Sequence, residues 1–229
     1  MPDPAIATAA DYADAMITAR RAKNALSLLL LLVIVAQLAI FFTARFSDVI
    51  FPREATVTAQ PAEGELAVYE ASGPAGVRDE RWHDYLHYVV GFANFTGITF
   101  AIVLAMVLLL IVTIMLVGRL IGVARTTSAY IWCLVLVVLL FPWQAILADE
   151  TFRSRDFIVP GVLYTWDELL ALARFPRDAS AQAILGWARF VVWPVVALIL
   201  LLVIHVKSNR GLRQALGEDY VAEEPAPRV

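Results

Sequence analysis

Val89–Gly118 reads VVGFANFTGITFAIVLAMVLLLIVTIMLVG, with no ionisable side chain anywhere in it. As a helix at 1.5 Å per residue it would reach about 45 Å, against about 30 Å of bilayer hydrocarbon, so it crosses a membrane and tilts or projects from it. Inside it Ala93, Gly97, Ala101 and Ala105 recur every four residues. Such a small-residue seam lets another helix approach closely, which matters in lipid, where burying apolar surface gains little. Just before it Glu80, His83, Asp84 and His87 recur at helical spacing, and Trp82, Tyr85 and Tyr88 suit the headgroup level.

Outward from that stretch the pattern repeats. Three further apolar runs fall at about 25–44, 128–148 and 189–206, giving with 89–118 an all-α integral membrane protein of four spans. The composition agrees, because 229 residues at 60% hydrophobic content lie above the apolar share of soluble domains, about 45–50%. The segments divide as 1–24 before the first span, a transmembrane domain over 25–206 with outer loops 45–88 and 149–188, and a polar tail over 207–229 whose end reads as disordered. Arg20, Arg21 and Lys23 ahead of Ala25–Ala44 imitate a signal peptide. The run exceeds the usual apolar core of about 7–15 residues and lacks a convincing cleavage site, so it is read as a retained span.

Within the spans Gln37 is expected to hydrogen-bond to a neighbouring helix. Pro142 is expected to kink span three, with Gln144 answering the freed carbonyl, and Pro194 to kink span four. In the second outer loop Thr165 and Glu168 match a capping box that opens a short helix near 166–175, lying on the membrane surface or over the bundle mouth. Thr56–Thr58 and Leu66–Tyr69 have the composition of two short strands. The short segments carrying Arg20, Arg21 and Lys23, Arg119 and Arg125, and Lys207, Arg210 and Arg213 fall on one side of the membrane. The positive-inside rule makes that side the cytosol and puts both termini there. A high Arg-to-Lys ratio and abundant Ala suggest a bacterial source, hence the inner membrane.

The chemistry is sparse. No G-x-S-x-G, H-E-x-x-H, G-x-x-x-x-G-K-[ST] or G-x-G-x-x-G occurs, and a lone Cys133 permits no intrachain disulfide. A net charge of -3 suggests no nucleic-acid partner. Glu80, His83, Asp84 and His87 share a helix face and include two His at i and i+4, the arrangement that can hold a transition metal at the outer face. Against that stands the plainer reading of a solvated helix end, which the same spacing fits more often. Gln37, Asn94, Thr96, Thr99, Thr113 and Gln144 could line a neutral path or satisfy helix contacts, and contacts are the commoner use. The expected function is therefore a non-enzymatic membrane interaction or assembly subunit with no cofactor. Its expected partners are the lipid bilayer and another membrane protein or a second copy. The rival expectations are a small oligomeric pore or neutral-solute transporter, and an outer-face metal or redox protein.

Overall fold

In the computed structural model the described residues are 4–46, 76–143, 161–166, 168, 169 and 181–218, with the side chains of 4–10, 76–84 and 181–183 outside the description. The segments expected as strands, Gln144, and most of the helix expected near 166–175 lie outside these residues.

Four helical stretches are long and apolar enough to cross a membrane. Helix α1 runs Pro4–Phe46 and α2 runs Gly76–Val117, 43 and 42 residues without a break. Both are longer than the apolar runs that nucleate them. At 1.5 Å per residue each spans more than about 60 Å, twice the hydrocarbon thickness, and continues as a helix into the aqueous phase. Helix α3 spans Val123–Leu140. The fourth stretch consists of α4 (Ala181–Trp187), a π-helical turn (Ala188–Val192) and α5 (Trp193–Ala215).

Both prolines act differently from the kinks expected of them. Pro142 ends α3 eight residues short of the expected 148, because a residue before proline is forced out of the helical region and Phe141 is extended at ψ 134°. Trp143 answers a freed carbonyl, its indole Nε1 donating to Val138 O at 2.8 Å. Pro194 removes a donor and crowds the carbonyl four residues back. The chain responds by widening, so that Trp193 N–H donates to Ala188 O five residues earlier, the π register.

Helix order follows from the contacts. Lys23 meets Ser208 while Phe41 stacks on Phe190 at 4.9 Å, so α1 and the fourth stretch are antiparallel, and the start of α1 and the end of α5 lie at one end of the bundle. Gly97 faces Val33 of α1, and Lys207 of α5 meets Ser128 of α3. The bundle axis is filled by Leu30, Ile34, Leu104, Leu108, Cys133, Leu136 and Leu201, all buried. A second cluster, Phe41, Val90, Tyr164, Trp166, Leu169 and Phe190, closes the far end.

Candidate functional site

At that far end the segment Gly161–Trp166, sequence GVLYTW, enters the mouth of the bundle with no regular secondary structure up to Thr165. Val162, Leu163, Tyr164 and Trp166 are buried there. Irregular backbone at such a depth is tolerated only where protein groups satisfy it. They do so from every side. Val162 N–H donates to Leu139 O of α3 at 3.0 Å. Asn94 Nδ2 of α2 donates to Tyr164 O at 2.9 Å, and Tyr164 OH donates to Gln37 O of α1 at 2.6 Å. Arg189 of the π-helical turn donates through Nη1 to Gly161 O and through Nη2 to Leu163 O.

Arg189 is 1% exposed and forks onto Glu168, Nε to Oε1 at 2.7 Å and Nη2 to Oε2 at 3.2 Å. Glu168 is itself 8% exposed, so the pair is nearly dry. The planar guanidinium suits this use, since it grips a carboxylate bidentately and still has donors for two carbonyls. The extra residue of the π-helical turn buries Arg189 and Phe190 side by side. Burial, with the Glu168 carboxylate second, holds the Tyr164 phenol above its ordinary value, so its OH stays a donor.

The capping box is half present. Glu168 N–H donates to Thr165 Oγ1 at 3.2 Å, while the Glu168 carboxylate, free in the usual box to reach back to the cap, pairs with Arg189. Gln37 makes the interhelical contact its polarity requires, Nε2 to Asn94 Oδ1 at 2.6 Å.

Of the residues singled out for metal, His87 is exposed and sets its ring edge-on to Tyr88, centroids 6.0 Å apart. The side chains of Glu80, His83 and Asp84 lie outside the described residues, although their backbone belongs to α2. Among the described residues no group of three His, Cys, Asp or Glu comes together. In the seam, Ala101 and Ala105 are buried in the main core and Ala93 is half-buried. A Cβ on Gly97 would stand 3.2 Å from Val33 Cγ1 and 3.7 Å from Leu163. Gly97 thus faces α1 and the inserted segment of the same chain.

Two constellations at the opposite end escaped the sequence reading. Lys23, fully buried, donates to Ser208 Oγ at 2.9 Å and to Asn209 Oδ1, whose amide meets His205 Nε2 at 2.9 Å. Gly122 and Gly211 bring α3 and α5 into backbone contact beside Thr126. A lysine just outside an apolar run reads as a topology signal, and only the partner helix reveals that it is buried. The glycine pair had a weak signal, two glycines in the basic ends of neighbouring spans.

No family profile, curated protein or solved structure matches the chain.

Proposed function

We propose that the chain is a non-enzymatic integral membrane subunit, seated in a bacterial cytoplasmic membrane with both termini in the cytosol, that assembles with another membrane protein or a second copy. The observation that carries this reading is the continuation of α1 and α2 as helices far past their apolar runs. Pro4–Asn24 and Gly76–Tyr88 amount to arms of about 30 Å and about 20 Å at opposite ends of the bundle. A helix in water is marginal unless something packs on it. Met16 and Ala19 are buried in the main core, but Tyr12 and Ile17 of the same arm stay about 40% exposed.

A pore through one bundle is disfavoured by the same structure. Thr99 and Thr113 donate to Phe95 O and Leu109 O of their own helix, Gln37 and Asn94 hold each other, and aliphatic side chains fill the axis. The test is isolation from native membranes in mild detergent of the full chain and of a variant lacking residues 4–15. A stoichiometric partner or dimer retained by the parent and lost on truncation, with bundle stability unchanged, is expected. A monomeric parent, or an assembly indifferent to the arm, would remove the reading. Reporter fusions at Thr126 and Glu223 that read as external would reverse the orientation.

A further inference from the structure

The end of the bundle bearing the termini has a boundary set by sequence. Lys207 is the first Lys or Arg after the apolar run of α5, two residues beyond His205, and Ser128 is the last polar residue before the apolar run Ala129–Leu140 of α3. At this level Lys207 Nζ donates to Ser128 Oγ at 2.9 Å and lies 5.7 Å from the centre of the Trp132 ring. Among the described residues no carboxylate pairs with Lys207; the three ion pairs present belong to Arg20, Arg189 and Arg213. An ammonium has three donors, and here a hydroxyl and an aromatic face take the places where a carboxylate would neutralise it.

Arg125, Ser128 and Trp132 are spaced i, i+3 and i+7, so they share one face of α3. Arg125 is exposed one turn nearer the water than Ser128, and Trp132 is exposed one turn nearer the lipid. This face of α3, with Lys207 beside it, therefore presents a guanidinium, an ammonium and a hydroxyl at headgroup depth, above an indole that borders the acyl chains. Arg and Lys are the side chains that receive phosphate oxygens, and basic pockets between spanning helices receive anionic headgroups.

We infer that Arg125, Ser128, Trp132 and Lys207 form a site for the phosphate of an anionic lipid headgroup in the leaflet on the side of the termini. This inference rests on the membrane seat of the chain and not on its role in assembly. The chemistry recognised is a phosphate flanked by no cation of its own, which separates phosphatidylglycerol from phosphatidylcholine.

The experiment is native mass spectrometry of the full chain equilibrated in detergent with phosphatidylglycerol, with phosphatidylcholine, or with inorganic phosphate alone. The parent is expected to retain phosphatidylglycerol over phosphatidylcholine. Lys207→Gln and Arg125→Gln should each lower the retained fraction by about fivefold, the factor that one basic residue contributes at an anionic surface. Arg21→Gln, an exposed base at the same end of the bundle, should leave it unchanged. Arg125→Gln removes no packing, so it keeps the test open should Lys207→Gln fold poorly. Equal retention of both lipids would overturn the proposal, as would equal losses in all three variants, which would indicate diffuse charge. Inorganic phosphate that stabilises the parent without lipid, and not the Lys207→Gln variant, would assign the site to a free anion and overturn the lipid.

Discussion

Gly211 and Gly97 both lie where another part of the chain approaches closely, and they differ in what that neighbour can do. A Cβ on Gly211 would meet Thr126 Oγ1 and stand 3.1 Å from Gly122 O, while one on Gly122, at φ 94°, would stand 2.6 Å from Gly211 O. Apart from the Thr126 hydroxyl these neighbours are backbone atoms where α3 and α5 pack, and Gly122 is in a region that side chains rarely adopt. A Cβ on Gly97 meets the terminal methyls of Val33 and Leu163, which can give by a few tenths of an ångström. Gly211→Ala is therefore expected to cost about 1–3 kcal/mol through overpacking, and Gly97→Ala less than about 1 kcal/mol. Gly91→Ala, with nothing within 4 Å, should be neutral or gain up to about 1 kcal/mol from helix propensity. Thermal unfolding in detergent ranks the three. Gly211→Ala as stable as the parent would show that the two helices do not touch there.

At the scale of elements, the inserted segment is held by Arg189 and Glu168. Removing one member of a buried pair leaves an uncompensated charge and costs about 3–5 kcal/mol, whereas replacing both with apolar residues costs far less. Arg189→Met and Glu168→Leu should each be strongly destabilising alone, and the double variant should be more stable than Arg189 left without its partner. Additive losses in a double-mutant cycle would mean that the two side chains act independently. This pairing also marks where the sequence ceased to be legible. The four spans were readable because apolar length is a signal along a single dimension, and the interhelical role of Gln37 followed from one amide in an apolar run. That the carboxylate of a capping box would turn to an arginine 21 residues later depends on how the loop re-enters the bundle. No local pattern encodes that. The prolines were visible, but no local pattern encodes whether Pro142 would kink or end a helix, or whether Pro194 would kink or widen one.

For the whole molecule, the distribution of polar groups is what supports the proposed scaffold over a conduit. Among the described residues the bundle buries Lys23, Ser27, Gln37, Thr126, Arg189 and Ser208, and all but Ser27, whose Oγ has no hydrogen-bond partner among them, bond to another element or to their own helix. Between the polar ends the axis is aliphatic from Leu30 through Leu108 to Leu201. A water-filled path needs polar groups to line it, and here Lys23, Gln37 and Arg189 join helix to helix or helix to inserted segment, while Thr126 bonds within its own helix. Gly97, Ala101 and Ala105 of the seam are buried within the chain, so in the proposed assembly a partner would meet the projecting arms. The most direct test is a stopped-flow light-scattering assay of proteoliposomes challenged with small neutral solutes such as glycerol and urea. Vesicles holding the purified chain should shrink and recover at the rate of protein-free vesicles at every protein-to-lipid ratio. Recovery that accelerates in proportion to the protein incorporated would show a conducting path and contradict a closed bundle.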